Sequence, residues 1–153
     1  MFTMIRPLAA LALAILAMIA AEAYRPLYAE DATLGAFSLW LALIAMSVGY
    51  SFLGSRIGRG GPVMTIFYAL QAVALTAVLA AMVFAVRMVF VFGYRRIYRE
   101  PMDAVSGFID HTLRFLGKGL DISFLLLLGG GGVAMGIVLH LLFRILEERR
   151  LAR

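Results

Sequence analysis

The sequence predicts an all-α integral membrane protein. A single domain of residues 1–153 is expected to form a four-helix bundle, with an amphipathic interfacial helix between the third and fourth spans. Hydrophobic residues make up 63% of the chain and charged residues 15%, against about 45–50% and about 25% in an ordinary soluble domain. The chain also contains four apolar segments, each close to the roughly 20 residues that a helix needs to cross a bilayer.

The four apolar segments that we expect to span the bilayer are residues 7–23, 34–53, 63–92 and 122–143. The third is long enough to tilt or to protrude from the bilayer. Because four spans are an even number, both chain termini lie on one side. The first segment also has features of a secretory signal peptide, since Arg6 precedes an apolar run that ends in Ala21-Glu22-Ala23. We favour an uncleaved first span, because the glutamate and the alanine-rich run are compatible with a membrane helix.

Residues 101–120 have the features of an amphipathic helix. Pro101 is suited to its first turn, where proline is tolerated. The residues that form its apolar face are Met102, Val105, Phe108, Ile109, Leu113, Leu116 and Leu120. This spacing predicts a helix that lies in the plane of the membrane interface. A fifth span is less favoured, because Asp110, His111 and Arg114 at its centre are costly in lipid.

The basic residues do not decide which side of the bundle is cytoplasmic. Seven Lys and Arg residues fall on the side of the termini and seven on the other side, so the positive-inside count is balanced. Arg6 before the first span, and the acidic pair Glu30 and Asp31 after it, favour cytoplasmic termini. We therefore expect a multi-pass protein with both termini in the cytoplasm.

Four consecutive glycines interrupt the apolar sequence of the fourth span. A phosphate-binding loop is excluded, because no Lys followed by Ser or Thr comes after them. Small residues let membrane helices approach closely, and Gly132 and Gly136 form a GxxxG pair. We therefore expect Gly129, Gly130, Gly131, Gly132 and Gly136 to be helical and packed against another span, with the GxxxG pair at the closest approach. The alternative is an unwound hinge, as in transporters with broken helices.

Glu22 and Arg87 are the ionisable residues that are most deeply embedded in apolar sequence. In a four-span layout both lie toward the side opposite the termini. An ion pair would neutralise two side chains that are expensive in lipid, so we expect Glu22 to pair with Arg87. Two alternatives remain: each side chain reaches the headgroups by itself, or Arg25 or Asp121 supplies the partner.

No arrangement of catalytic or metal-binding residues is evident in the sequence. The chain has no cysteine, and His111 and His140 are predicted on opposite sides of the membrane, where they cannot flank one haem. There is no HExxH motif, no paired intramembrane carboxylates and no Ser/His/Asp grouping at a plausible spacing. We therefore expect no enzymatic activity, no cofactor and no metal.

The net charge of +5 is expected to serve contacts with lipid. No basic stretch is interleaved with aromatic residues in the way that favours base stacking, so we expect no nucleic-acid partner. Basic residues at the ends of spans attract anionic headgroups instead. The residues that we expect to contact headgroups are Arg56, Arg59, Arg95 and Arg96.

Two stretches of the chain are similar to a known family. WLALIAMSVGYSFLGSRIGRG (40–60) joins a span to a turn rich in glycine and arginine, and YRRIYREPMDAV (94–105) places a basic, aromatic cluster before a proline. Together with Arg25-Pro26-Leu27, these stretches make the chain resemble the small TrgA-type bacterial membrane proteins associated with tellurite resistance. The resemblance implies a four-span protein of the bacterial inner membrane, linked to oxyanion tolerance, with no defined catalytic site.

These observations favour a non-enzymatic membrane bundle that protects against tellurite or a related envelope stress. A first alternative is a small accessory or assembly subunit that packs against a larger membrane complex or self-associates, because four short spans bury little of their own surface. A second alternative is an exporter. An exporter needs a polar path, however, and Ser47, Gln71 and Thr76 are the only polar side chains expected near mid-depth in the spans.

Overall fold

The computed structural model describes residues 5–28, 37–57, 61–94 and 101–151, with side chains for 5–25, 37–57, 61–93 and 102–147. These residues form five helices. They are α1 (Ile5–Tyr28), α2 (α-helical over Phe37–Val48 and π-helical over Gly49–Leu53), α3 (Pro62–Tyr94), α4 (Pro101–Lys118) and α5 (Ile122–Leu151). No strand occurs within these ranges, so the predicted all-α class is confirmed for the described part of the chain.

Three of these helices contain stretches that are long and apolar enough to cross a bilayer, namely Ile5–Arg25, Pro62–Gly93 and Ile122–Glu147. This finding supports the predicted membrane protein. The apolar stretch of α2, Phe37–Leu53, is shorter. Helix α5 continues well past the predicted end of the fourth span at residue 143, because hydrophobicity marks where lipid ends and the helix itself continues into polar sequence.

A common centre is surrounded by four helices, α1, α2, α3 and α5. Helix α1 packs against α2 and α5, and α3 packs against the same two helices, so α1 and α3 lie at opposite corners of the arrangement. Helix α4 stands outside this group and packs chiefly against α3. The four helices thus form a ring, and the side chains that they direct inward decide whether its centre is filled.

Contacts along α1 define the two ends of this ring. At the first end, Arg6 lies against Gly54, since a Cβ added to Gly54 would come within 2.7 Å of the Arg6 Cα. At the second end, the ring of Tyr24 lies 6.1 Å from that of Phe37 on α2 and 5.4 Å from that of Phe124 on α5. We call these the Arg6 end and the Tyr24 end.

Helix α3 extends beyond the Tyr24 end, and α4 packs against the extension. The ring of Phe84 on α3 lies 4.5 Å from that of Phe37, which places it at the Tyr24 end. Ten further residues of α3 follow, to Tyr94. Phe92 in this extension stacks on His111 of α4, with ring centroids 5.2 Å apart. At 33 residues, α3 is about 50 Å long, well over the roughly 30 Å of a hydrocarbon core.

The π-helical turn of α2 brings two glycines onto one face. The Gly54 N–H donates to the carbonyl oxygen of Gly49, five residues earlier, at 2.8 Å. In an α-helix two residues five apart would point about 140° away from each other, given 3.6 residues per turn. Here both glycines face α1, and a Cβ on Gly49 would lie 2.7 Å from the Cα of Ala10. The wider turn therefore permits backbone contact between α1 and α2 at two levels.

Serine hydroxyls accompany the same turn. Ser47, Ser51 and Ser55 each donate to the carbonyl oxygen four residues earlier, at 3.0, 2.6 and 2.8 Å. Such back-bonding competes with the helical N–H for the carbonyl and bends helices. The serine spacing therefore helps to explain why α2 departs from α-helical geometry at this point.

Candidate functional site: an apolar cavity at the Tyr24 end

A cavity of about 550 Å³ lies at the centre of the helix ring, in the half nearer the Tyr24 end. Helices α1, α2, α3 and α5 supply its sides. The last turn of α4 and the α4–α5 turn close its end with Phe115, Leu116 and Gly119. Its wall is built almost entirely from alanine, leucine and phenylalanine, so the cavity is a strongly apolar environment.

Small residues on facing helices explain why this half of the ring stays open. Helix α1 presents Ala17 and Ala20 to the cavity, and α3 presents Ala77 and Ala80. Gly129 on α5 lines it as well. Because alanine and glycine reach only a short way from their backbones, helices held apart by larger neighbours leave space between them.

The four consecutive glycines of α5 have four different surroundings. They are helical throughout, as expected. Gly132 and Gly136 are buried against α3, where an added Cβ would lie 3.0 Å from the Leu70 side chain and 2.8 Å from the Cα of Ile66, so both glycines of the predicted GxxxG pair make close contacts. The closest contact of these glycines is at Gly131, outside the pair. Gly131 lies against Leu16 of α1.

The expectation of close packing does not hold for the other two glycines of the run. A Cβ on Gly129 or Gly130 would meet nothing within 4 Å, although Gly129 lines the cavity. Four consecutive residues point in four directions around a helix, and the neighbouring helices approach α5 on only part of its circumference. Gly130 accordingly faces outward.

An aromatic cluster closes the Tyr24 end of the cavity. Phe84 of α3 lies between Phe37 of α2 and Phe115 of α4, with ring centroids 4.5 and 6.2 Å away. Tyr24 adds its stacked contact to Phe37 and its tilted contact to Phe124. Ring pairs at these distances contribute roughly 0.5–1.5 kcal/mol each beyond their burial. The cluster therefore ties all five helices together at the level where the cavity ends.

The polar side-chain atoms on the cavity wall already have hydrogen-bond partners. The hydroxyl of Thr76 donates to the carbonyl oxygen of Ala72 at 2.8 Å. The hydroxyl of Tyr24 donates to the carbonyl oxygen of Phe115 at 2.9 Å. The wall thus presents mainly hydrocarbon to whatever occupies the cavity.

The size and polarity of the cavity determine what can occupy it. Apolar cavities do not gain by taking up water, because water needs polar partners. Hydrocarbon is therefore the material that suits this space.

The structure contradicts the expected ion pair between Glu22 and Arg87. The Glu22 carboxylate pairs with the guanidinium of Arg25 at 3.2 Å, on the same helix. Arg87 is exposed and makes no ion pair with any described residue. The physical reason is proximity: residues three apart on a helix are neighbours on its surface, and both partners lie in an exposed position, where no burial forces a longer-range pair.

Of the arginines expected at lipid headgroups, only Arg56 has a described position. Its guanidinium carbon lies 3.9 Å from the ring centroid of Phe52 and 5.6 Å from that of Tyr68. Such cation–π contacts hold the side chain at the Arg6 end of the bundle. The other three expected contacts, at residues 59, 95 and 96, lie outside the described residues.

The two histidines have separate surroundings. His111 stacks on Phe92, and burial lowers its pKa below the ordinary value of 6.5; Arg114 lowers that pKa further and Asp110 partly offsets the shift. The Nδ1 of His140 lies 3.5 Å from the buried hydroxyl of Thr65 on α3. Within the described ranges, no three His, Cys, Asp or Glu side chains are grouped so as to hold a metal ion.

Sequence reasoning missed both the cavity and the aromatic cluster. Alanine positions in the first and third spans were visible, but small residues are equally compatible with tight packing. The aromatic residues of the cluster come from five separate segments.

Comparison with protein-family models, with curated proteins and with solved structures found no match to this chain.

Proposed function

We propose that this protein is a non-enzymatic component of the bacterial inner membrane that acts within the apolar phase of the bilayer and supports tolerance of tellurite or of a related envelope stress. The observation that carries action within the apolar phase is the apolar cavity, whose polar side chains are already hydrogen-bonded within the protein. The link to tellurite rests on the resemblance of residues 40–60 and 94–105 to the TrgA-type proteins. A site of this kind suits hydrocarbon. It does not suit an oxyanion, because transfer of a charge into an apolar environment is very costly without compensating partners.

The proposal includes a four-span bundle, with α2 as the second span. The 17 residues of Phe37–Leu53 measure about 26 Å, slightly less than a hydrocarbon core of about 30 Å, and local thinning accommodates such a mismatch at modest cost. Trp40 and Tyr50, near the two ends of this stretch, are 54% and 43% exposed. Aromatic side chains at both ends of a span favour the two interfaces.

Helix α4 is proposed to lie at the interface on the side opposite the termini. Its outward apolar stripe is exposed, and it consists of Met102, Val105, Ile109 and Leu113. Asp110 and Arg114 are also exposed, at other positions around the helix. A helix with an apolar stripe and a charged face gains by placing the stripe at the acyl boundary. Its contact with the extension of α3 holds it beside the bundle.

Acidic residues, which contribute little to orientation, break the tie between the two equal counts of basic residues in favour of cytoplasmic termini. The side of the termini carries seven basic and two acidic residues, whereas the opposite side carries seven of each. The whole excess of +5 therefore lies on one side. The cytoplasmic leaflet attracts such charge through its anionic lipids.

Single-cysteine labelling tests the placement, because the native chain contains no cysteine. We would introduce Ala32→Cys, Ser55→Cys and Ser106→Cys separately and label intact cells with a membrane-impermeant maleimide. Four spans predict labelling from outside at positions 32 and 106 and protection at position 55. Equal labelling of positions 32 and 55 from one side would show that α2 does not cross.

The physiological role requires a separate measurement. A strain that lacks the gene is expected to become more sensitive to tellurite and to membrane-active detergents, with both defects restored by the wild-type gene. Cellular tellurium should be measured alongside survival. If the gene lowers cellular tellurium and leaves detergent sensitivity unchanged, an exporter is the better explanation.

An accessory subunit is the second candidate. Gly130 and Ala134 on α5 are exposed at a spacing of four residues, which is the spacing of close helix contacts in membranes. Detergent-free extraction followed by native mass measurement tests this candidate. A stoichiometric larger partner would favour the accessory role, a second copy of this chain would favour self-association, and a single chain would argue against both.

A further inference from the structure

We propose that the cavity at the Tyr24 end binds one acyl chain of a membrane phospholipid, which enters sideways from the bilayer. The inference rests on the four-span placement proposed above, and it adds the class of ligand and its orientation. Four features carry it: the depth of the cavity, the exposed part of its lining, the chemistry of its wall, and two arginines beside its end.

The depth of the cavity matches one leaflet. Its lining on α3 runs from Leu70 to Phe84, and its lining on α1 runs from Leu13 to Tyr24. At 1.5 Å per residue these stretches measure about 21 and about 17 Å. One leaflet contributes about 15 Å, half of a hydrocarbon core of roughly 30 Å. An extended acyl chain therefore has room to lie lengthwise in the cavity.

The exposed parts of the lining show where the chain enters. Ala74 on α3, Leu120 in the α4–α5 turn and Leu125 in the first turn of α5 line the cavity and are also exposed. The closest contact between α3 and α5 lies further toward the Arg6 end, at Gly132 and Gly136. Toward the Tyr24 end a Cβ added to Gly129 on α5 would meet nothing within 4 Å, so we infer that the opening faces sideways at the depth of lipid chains.

The wall chemistry selects hydrocarbon over a ligand with a buried polar head. The hydroxyls of Thr76 and Tyr24 already donate to carbonyl oxygens of the chain. A ligand such as an isoprenoid quinone would bring carbonyl oxygens into this space and find few donors for them. Leaving polar groups unpaired in an apolar environment weakens binding. An acyl chain brings no such groups.

Two arginines distinguish a phospholipid from an uncharged hydrocarbon. Arg87 lies three residues after Phe84 on α3, and Arg114 immediately precedes Phe115 on α4. The rings of Phe84 and Phe115 are 6.2 Å apart, so the two arginines flank the same end of the cavity. Both are exposed, and neither pairs with an acidic residue within the described ranges. A phosphate at the headgroup level is a suitable partner for them.

Photolabelling with a matched pair of glycine variants tests the inference. The full chain is reconstituted in phosphatidylcholine vesicles that contain a phosphatidylcholine with a diazirine at the end of one acyl chain. Gly129→Leu places a side chain in the cavity, whereas Gly130→Leu places the same side chain outside it. We expect label on the cavity-lining peptides of wild type and of Gly130→Leu, and about tenfold less label on Gly129→Leu, as for a loss of one order of magnitude in affinity.

A second pair of variants controls for a folding defect in the glycine variants. Ala77→Phe fills the cavity from α3, and the adjacent exposed Val78→Phe does not. Thermal unfolding in detergent is measured for all four variants, and labelling is compared only between variants with the wild-type transition. Equal labelling in the filled and unfilled variants would overturn the proposal. Labelling of the cavity by a diazirine quinone but not by the phospholipid would also overturn it.

The role of the two arginines is tested in a separate experiment. Replacing Arg87 and Arg114 together with Gln is expected to reduce labelling by the phospholipid severalfold and to leave labelling by a diazirine-bearing fatty alcohol unchanged. If both probes respond alike, the phosphate does not contact these arginines. The cysteine labelling at positions 32, 55 and 106 reports the membrane placement independently. A correct placement without lipid labelling therefore rejects this inference alone.

Discussion

The hydroxyl of Tyr24 donates a hydrogen bond of 2.9 Å to the main-chain carbonyl oxygen of Phe115, across 91 positions of sequence. The bond joins the end of the first helix to a helix that stands outside the central ring. Both residues also line the cavity. The stability of α4 on the bundle and the closure of the cavity are thereby coupled through one buried contact.

We expect Tyr24→Phe to weaken this coupling while preserving the aromatic packing. The loss of one buried hydrogen bond is expected to cost about 0.5–1.5 kcal/mol. Hydrogen exchange should then increase in α4 more than in α1 or α3, and the thermal transition should fall slightly. Unchanged exchange in α4 would show that its position does not depend on the Tyr24 hydroxyl.

The glycine contacts of the π-helical turn are expected to be intolerant of a methyl group. Gly54→Ala would place a Cβ 2.7 Å from the Cα of Arg6, and backbone cannot rotate away as a side chain can. Overpacking of this kind typically costs about 1–3 kcal/mol. Gly93→Ala is the matched control, because nothing lies within 4 Å of its added Cβ. Thermal unfolding should separate the two variants, and equal stability would contradict the close contact.

The GxxxG pair and the outward glycine of α5 are expected to respond in opposite directions. Gly136→Ala would bring a Cβ to 2.8 Å from the Cα of Ile66 and should destabilise the bundle. In Gly130→Ala the added Cβ would have no atom within 4 Å, and alanine replaces a poor helix former. The substitution should therefore be neutral or stabilise the bundle by up to about 1 kcal/mol. Unfolding in mixed micelles measures both. A destabilised Gly130→Ala would indicate a partner on that face.

Charge removal at Glu22 is expected to couple to Arg25 and not to Arg87. The Glu22–Arg25 pair is exposed, with side chains 60% and 53% accessible, and exposed pairs on a helix contribute about 0.3–0.5 kcal/mol. A double-mutant cycle with Gln substitutions should give a coupling of that size for Glu22 with Arg25. The same cycle for Glu22 with Arg87 should be additive. A coupling free energy in the second cycle would show that Glu22 does interact with Arg87.

Acidification is expected to destabilise α4 through His111. Its pKa is lowered in the folded protein, whereas the unfolded chain has the ordinary value near 6.5. Between the two values the unfolded state binds more protons, so stability rises with pH and falls on acidification below about 6.5. His111→Phe keeps an aromatic ring against Phe92 and cannot titrate. Comparison of wild type and this variant at about pH 7.5 and about pH 5.5, on either side of the ordinary histidine pKa, should show a smaller loss in the variant.

The sequence was sufficient for features that depend on one segment and its solvent. Long apolar runs predict α1, α3 and α5, because their backbone groups need helical hydrogen bonds in lipid. The spacing from Met102 to Leu113 predicts α4 for the same local reason. Gly132 and Gly136 were predictable as a close contact because small residues four apart share one face of a helix.

The sequence does not predict features that depend on the rotation of each helix about its axis or on the distance between helices. The choice of Arg25 over Arg87 as partner of Glu22 depends on the directions in which α1 and α3 present their side chains. The cavity depends on the distance between helices at Ala17 and Ala77, and alanines suit both a tight contact and an open space. The serines of α2 were a usable signal for a distorted helix, but their spacing alone does not specify a π turn.

The π turn also has a consequence for the comparison of this chain with others. A π turn holds one residue more than an α-helical turn, so α2 has the geometry of an α-helix with one residue added between Gly49 and Gly54. Gly49 and Gly54 face the same neighbour at a spacing of five, and a search for pairs of small residues four apart passes over them. A homologue whose second helix is α-helical throughout is expected to be one residue shorter here, with its two contact glycines four apart. An alignment gap between these two positions would therefore mark a change in helix geometry at a contact that both chains keep.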